Sequence, residues 1–310
     1  MKVVVTGALG HIGSRLIREL PSAFPDAEIL MLDNLSTQRY CSLFNLPAAG
    51  KYRFVETDIL KTDLAELFKD ASVVVHLAAI TNAEDSFEIA EQVELVNLTG
   101  TRAVAEACVA AGSALLFLST TSIYGTQSQT VDEDCPESDL RPQSPYAKSK
   151  LEAEKLLKTF GTTEALNFIV LRLGTVFGVS SGMRFHTAVN KFCWQASLGQ
   201  PITVWRTALH QKRPYLDLTD AVEAINFVIA RNLFDGRTCN VLTLNATVND
   251  IVEQISSHYP NLSIKYVDTK IMNQLSYEVS NEGFKNLGFG VKGCLATGIA
   301  DTINLLKGLS

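Results

Sequence analysis

"KVVVTGALGHIGS", residues 2–14, decides the fold. It begins with a β-branched apolar run of the kind that forms a strand covered on both faces. Gly7, Gly10 and Gly13 follow at once, and a helical pattern sets in at His11. Glycines at such a turn let the backbone approach a pyrophosphate. The helix N-terminus behind them supplies free N–H groups and the positive end of a dipole. A glycine-rich turn alone is a weak signal, because ordinary tight turns use the same residues. Its place directly behind the first strand makes it a dinucleotide-binding fingerprint.

The same alternation continues outward from this stretch. "EILMLD", "YRFVETD", "SVVVHLA", "ALLFLST" and "NFIVLRL" read as further buried strands. Helical periodicity falls between several of them, at residues 11–20, 63–69, 84–110 and 144–160. Strands alternating with helices predict βαβ units, hence an α/β Rossmann-type doubly wound parallel sheet. Beyond Gly178 the pattern loosens, with helical runs at 190–198, 219–230 and 249–258 among turn-rich stretches. The expected division is a dinucleotide-binding domain over residues 1–178, to which about 212–232 return, and a smaller C-terminal α/β substrate-binding region over 179–310.

Bulk properties narrow the function. A chain of 310 residues with 46% hydrophobic residues is globular, and a net charge of −6 argues against a broad nucleic-acid surface. No apolar run approaches the length of a membrane span. The N-terminus enters a strand pattern without an apolar leader, and six scattered cysteines lack metal-like spacing. The expectation is a cytoplasmic protein with reduced, mostly buried thiols and no metal.

Ligands of open α/β sheets bind beyond the carboxyl ends of the strands. Asp33 ends the second strand, twenty positions after Gly13, where a carboxylate accepts ribose hydroxyls and repels a 2′-phosphate. NAD is therefore favoured over NADP, although Arg39 stands nearby in sequence. Asp58 after the third strand either holds an adenine amino group, with Ile59 on the ring, or caps the next segment. Ala78 and Ala79 after the fourth strand permit close contact with a cofactor, and His76 within it reads as structural. The fifth strand ends in the hydroxyl cluster "STTSIYG".

"SPYAKSK", residues 144–150, then places Tyr146 and Lys150 on one helix face, with Ser144 as a cap and Pro145 in the first turn. A phenol ionises near pH ~10, and a neighbouring ammonium together with an oxidised nicotinamide would bring it toward working pH. Such a phenolate can take a hydroxyl proton while hydride leaves the same carbon. Thr120 can share that proton or hold the substrate hydroxyl.

"TGALGHIG", "LDN", "TDI", "HLAA", "NLTGT", "STTSIYG", "SPYAKSK" and "LRLGTVFG" together resemble the extended short-chain dehydrogenase/reductases, specifically the NAD-dependent nucleotide-sugar epimerase/dehydratase group. The resemblance spans essentially the whole chain and is most specific over residues 1–178. It implies one NAD, a nucleotide diphosphate sugar as substrate, and a homodimer built from helices near residues 85–110 and 144–160. It assigns catalysis to Thr120, Tyr146 and Lys150. It lines the cofactor with Gly7, Gly10, His11, Ile12, Gly13, Asp33, Asn34, Asp58, Ile59, Leu77, Ala78, Ala79, Thr81 and Asn97, together with Tyr146 and Lys150. For Asn97, a structural hydrogen-bonding role between helix and sheet is the other reading.

Several positions depart from the group. Dehydratases carry an Asp-Glu pair after the catalytic Thr, and here Thr121 and Ser122 stand there, which sets 4,6-dehydration aside. Thr175 replaces an Asn that contacts the sugar nucleotide in many members. Arg213 fits a diphosphate clamp, since a guanidinium matches phosphate oxygens in a fork. Arg184, His186 and Lys191 are further candidates for the substrate phosphates, and Trp194 reads as core. Trp205, Arg206, His210 and Lys212 are additions. The expected activity is a nucleotide-sugar 4-epimerase, UDP-sugars favoured, working through a transient 4-keto sugar. A C4 dehydrogenase or ketoreductase of the same family is the alternative, and a non-catalytic NAD(H)-sensing protein ranks below both.

Overall fold

The computed structural model describes residues 1–125, 130–268 and 277–308. Strands run in the order β1 (Lys2–Thr6), β2 (Glu28–Asp33), β3 (Lys51–Glu56), β4 (Val73–His76), β5 (Ala114–Thr120) and β6 (Phe168–Leu173). They continue as β7 (Thr175–Phe177), β8 (Ile202–Trp205), β9 (Lys212–Asp217), β10 (Thr238–Val241), β11 (Leu244–Thr247) and β12 (Ile264–Val267). The helices are α1 (His11–Ala23), α2 (Leu64–Phe68), α3 (Ala90–Glu94), α4 (Gly100–Ala111), α5 (Pro145–Thr163), α6 (Ala188–Ser197), α7 (Leu218–Arg231), α8 (Val248–His258), α9 (Glu282–Asn286) and α10 (Leu295–Leu306).

Seven strands form one sheet in the order β10-β6-β5-β4-β1-β2-β3, every pair parallel. The order reverses beside β1, which is the switch point where such sheets bind ligands. Strand residues alternate between two cores, as the pleat requires. Val3 and Val5 enter the core with Leu16 of α1 and Val222 of α7, while Val4 enters the opposite one with Phe68, Val104 and Leu157 of α2, α4 and α5. Helices therefore cover both faces, and the expected doubly wound sheet is present. Strand β10 lies outside every strand read from the sequence, because "TCNV" is too short to show a period.

A third core joins α6, α8 and α10 to β8 and β9, and Ile251, Ile299 and Phe177 are fully buried there. Two smaller sheets, β11-β9-β7 and β12-β8, complete this part. Helix α10 has no counterpart among the helical runs read from the sequence. Helix α5 begins as expected, with Pro145 in its first turn and Ser144 Oγ accepting the Ala147 N–H at 3.1 Å.

The expected helix over residues 84–110 is instead a 3-10 turn at Asp85–Phe87, then α3, a π-helical turn at Leu95–Thr99, and α4. Asn82 causes the late start, since its Oδ1 accepts from Glu84 N at 3.1 Å and Asp85 N at 3.4 Å. All six cysteines are free, but Cys41 and Cys294 are exposed and Cys135 is half-buried, so only half are the buried thiols expected. Among the described residues no helix is long and apolar enough to cross a membrane.

Candidate active site

The glycine turn is built as its composition requires. Gly7 adopts φ +64°, and a Cβ there would lie 2.6 Å from Ala78 N, while one on Gly13 would lie 2.5 Å from Gly7 O. Only glycine fits either position. Asp33, at the end of β2, accepts from Leu9 N at 3.0 Å and Leu35 N at 2.9 Å, so its carboxylate latches the turn to the second strand. The Arg39 guanidinium lies close to Asp33 and to Gly10.

Asn34 is exposed and accepts from Ser36 N at 3.1 Å. Asp58 caps the turn behind β3, accepting from Leu60 N at 3.0 Å. Ile59 is buried against Gly100 in the core under α2, α4 and α5. Ile12 packs partly buried against the α1 and α7 core.

Four cationic or protonatable side chains gather near the N-terminus of α1. His11 is buried, shares a 3.0 Å hydrogen bond between Nδ1 and Ser180 Oγ, and leaves Nε2 without a partner. Burial, then Arg184, Arg39 and His186, hold its imidazole well below the ordinary value. Arg184 Nη1 donates to Thr81 Oγ1 at 2.7 Å, and its Nε is buried without a partner. Unpartnered buried polar atoms are rare and point to a group that completes them. Together with the glycine cradle and the helix N-terminus, they fit a dinucleotide pyrophosphate. Ser180–Gly182 packs onto the same turn. Gly182 N donates to Ser14 Oγ at 2.9 Å, and a Cβ on Gly182 would overlap the Leu9 and Gly10 carbonyl oxygens.

At the end of β5, the Thr120 side chain adjoins the Tyr146 phenol. Burial pushes that phenol above its ordinary value; the Arg184 guanidinium and the Thr120 hydroxyl lower it, and Tyr277 raises it. Lys150 Nζ donates to Leu118 O at 2.8 Å and stands 4.5 Å from the centroid of the Phe117 ring. Burial draws this ammonium down to about 7, with Glu154 acting in the other direction. The protein's own groups leave the phenol harder to ionise than in water, and the cation lowering it is Arg184, from a loop whose spacing carries no such signal.

Thr121 Oγ1 donates to Leu173 O at 3.2 Å and lies 3.5 Å from the Tyr277 hydroxyl, with the Ser122 side chain also beside it. Tyr277 is buried, and nothing in sequence links it to Thr121, 156 positions earlier.

A continuous hydrogen-bond chain fixes Tyr146 from behind. Leu77 N and Ala78 N donate to Thr6 Oγ1 at 3.2 and 3.3 Å, and Thr6 meets His76 Nδ1 at 2.8 Å. His76 Nε2 is 3.1 Å from Thr101 Oγ1, which donates to Asn97 O at 2.6 Å. Because Thr101 spends its proton on Asn97, His76 must donate from Nε2 and accept at Nδ1. Asn97 holds Ile80 through both its amide atoms, at 2.8 and 3.0 Å, and donates to Ser149 Oγ at 3.0 Å. Ser149 donates to Tyr146 O at 2.8 Å. Asn97 therefore ties helix to sheet, and the π-helical turn places it there. Burial and Lys150 hold His76 down to about 3, so the ring is neutral.

The substrate candidates separate. Thr175 is half-buried in β7 opposite Tyr215, and the Arg213 charge acts on Tyr277 and Tyr215. His186 groups with Arg184, Arg39 and His11 on the cofactor side, and Lys191 is exposed on α6. Ala79 is half-buried at the β4 end, next to the Ile80 backbone that Asn97 holds. Lys212 pairs with Glu278 at 2.6 Å, and Arg206 with Asp268 at 3.3 Å while covering the Tyr266 ring. His210 is exposed, and Trp194 packs against Phe185 beside the third core.

This is the architecture of a Rossmann-type protein with a dinucleotide-binding glycine turn and, beyond the strand ends, a tyrosine and a buried lysine on one helix. A family model, the NAD dependent epimerase/dehydratase family, matches residues 3–241, and the chain belongs to that family. NAD is the cofactor of the family.

Among curated proteins, a trifunctional UDP-glucose 4,6-dehydratase/UDP-4-keto-6-deoxy-D-glucose 3,5-epimerase/UDP-4-keto-L-rhamnose-reductase of Arabidopsis thaliana is 28% identical over 97% of this chain. The chain spans 46% of that relative's length. In structure the chain is similar to UDP-glucuronic acid 4-epimerase from Bacillus cereus in complex with UDP-glucuronic acid and NAD, with a TM-score of 0.91, 24% identity and all of both chains covered. It is similar also to MoeE5 in complex with UDP-glucuronic acid and NAD, with a TM-score of 0.86, 27% identity and 98% of each chain covered.

Proposed function

We propose that the protein is an NAD-dependent nucleotide-sugar 4-epimerase acting on a UDP-sugar. Tyr146, in the first turn of α5 with its phenol beside Thr120 at the end of β5 and Lys150 one turn on, is the observation that carries this reading. Tyr146 takes the proton of the sugar C4 hydroxyl, and Thr120 steadies the oxygen during transfer. NAD, when bound, supplies reversible hydride acceptance at C4 and a positive charge near the phenol. Tyr146 returns the proton once the 4-keto sugar has presented its other face. Gly7, Gly10, His11, Gly13, Asp33, Thr81 and Arg184 would hold the dinucleotide; Leu77, Ala78 and Ala79 give it room. Thr175 and Arg213 lie toward the substrate.

Dehydration would need a carboxyl group beside Thr120 to expel a hydroxyl. Thr121 and Ser122 instead turn their hydroxyls to Leu173 O and Tyr277. The 27%-identical MoeE5 binds UDP-glucuronic acid and NAD, which supports a UDP-sugar. Ser180–Gly182, packed on the glycine turn, supports a retained cofactor and so favours epimerisation over a dehydrogenase that must exchange it. A homodimer through the α3 to α4 stretch is part of this reading, since Phe87, Ile89 and Leu95 expose apolar side chains there.

The test is incubation with UDP-glucuronic acid, UDP-glucose and UDP-N-acetylglucosamine, followed by mass spectrometry and nicotinamide absorbance. A C4 isomer of unchanged mass with no net absorbance change is expected. An oxidised product with accumulating NADH would favour the dehydrogenase, and a dehydrated product would overturn both.

A further inference from the structure

Lys150 is only 4% exposed, and its Nζ hydrogen-bonds a neutral carbonyl among the described residues. Neither that carbonyl nor the Phe117 ring cancels a full charge in a low-dielectric setting. One turn further along α5, at i+4 and so on the same face, stands Glu154, 1% exposed. Its carboxylate accepts from Ser119 Oγ, from Arg172 Nε at 3.1 and 3.2 Å, and from Arg172 Nη2 at 2.7 Å. Arg172 Nη1 goes on to the Tyr124 hydroxyl at 2.9 Å, which donates to Asn240 Oδ1 at 2.9 Å. Leu118 and Ser119 are consecutive in β5, directly before Thr120, so lysine and glutamate are each anchored to the strand end that carries Thr120.

The buried charges here are two cations and one carboxylate. Asp217 and Asp220, the other carboxylates buried among the described residues, lie at β9 and α7. Facing Lys150 from β4 is His76, which is neutral, and Tyr146 precedes it by one turn. On the helical segments packed against α5, Asp85, Glu91, Glu94, Arg102 and Glu106 are exposed. The Tyr124 phenol, after β5, is pushed up by burial and stays protonated.

We propose that Glu154 is a positioning residue for the reaction: its carboxylate, held by Arg172 and Ser119 one helical turn from Lys150, keeps the Lys150 side chain charged beneath Tyr146. This rests on the epimerase reading for its catalytic meaning, though not for its electrostatics. An ion pair that served packing alone would leave Lys150 indifferent to it.

The test tracks the Lys150 ε-carbon by carbon NMR across pH in lysine-labelled protein, assigned by its loss in Lys150→Met. The wild-type midpoint is expected near about 7. Glu154→Gln lowers it by about one pH unit or more, because only the repelling guanidinium remains. Arg172→Gln moves it up by a similar amount, and Glu154→Asp keeps it near wild type. The alkaline limb of kcat/KM moves in the same directions. Reduced melting temperatures with an unmoved midpoint in either charge-removing variant overturn the proposal. Where one variant does not fold, the sign of the other decides. Should Tyr146→Phe abolish turnover while the midpoint ignores Glu154, this inference fails and the epimerase reading stands. Should the midpoint follow Glu154 while Tyr146→Phe retains activity, the epimerase reading fails instead.

Discussion

Tyr146 is surrounded by residues that do not all act as their spacing suggests. The pairing of Tyr146 with Lys150 was legible, because a four-residue step fixes a shared helix face whatever the tertiary setting. The charge balance was not legible, since it depends on Arg184, Glu154 and Arg172, which come from three different elements. His76 shows the same limit. Its burial at the end of "VVVH" could be read, but its tautomer is set by Thr101 and Asn97 one helix away. A consequence at this scale is measurable. The His76 ring is held down to about 3 in the fold and titrates near ~6.5 when unfolded. Between those values the unfolded chain binds a proton that the folded one refuses, so stability falls as pH drops through this window. Denaturant unfolding at about pH 5 should show a loss of about 1–2 kcal/mol relative to pH 7 from this residue. His76→Asn should flatten that dependence; an equally steep slope in the variant would contradict the assignment.

Helix α5 is the element that sequence specified most completely. Ser144, Pro145 and the spacing behind them set its start, and the structure adds only the Ser86 hydroxyl beneath the Tyr146 amide at 3.4 Å. Ser144→Ala removes the cap on the turn that carries Tyr146 and is expected to cost about 1 kcal/mol, seen as a lower denaturant midpoint. The α3 to α4 stretch is the counterexample. Periodicity predicts one long helix, but the Asn82 turn delays it, and a π-helical turn then shifts the register at Leu95–Thr99. That shift lets Asn97 reach Ile80 and Ser149 together, and no local propensity encodes it. Short strands such as β10 and β11 were illegible for a plainer reason, since four residues show no reliable period.

Across the whole molecule, the parallel sheet was legible because its strands are buried on both faces and read as apolar runs. The C-terminal half was not, since its core is assembled from α6, α8, α10 and short strands far apart in the chain. Its contribution to the cofactor site is the Ser180–Arg184 segment, which bridges the glycine turn and Thr81. Gly182→Ala must lift that segment off Leu9 and Gly10, so NAD retained through gel filtration by the wild type is expected to wash out of the variant. Exposed Leu95 and its apolar neighbours predict a dimer by sedimentation, with Leu95→Glu shifting it to monomer. The most direct test of the central claim is turnover of UDP-glucuronic acid in deuterated water, with the C4 position of the product examined by NMR. The account predicts a C4 isomer without deuterium at C4, formed by the wild type and slowed about a hundredfold or more in Tyr146→Phe. Deuterium at C4, or an undiminished rate in the variant, would contradict it.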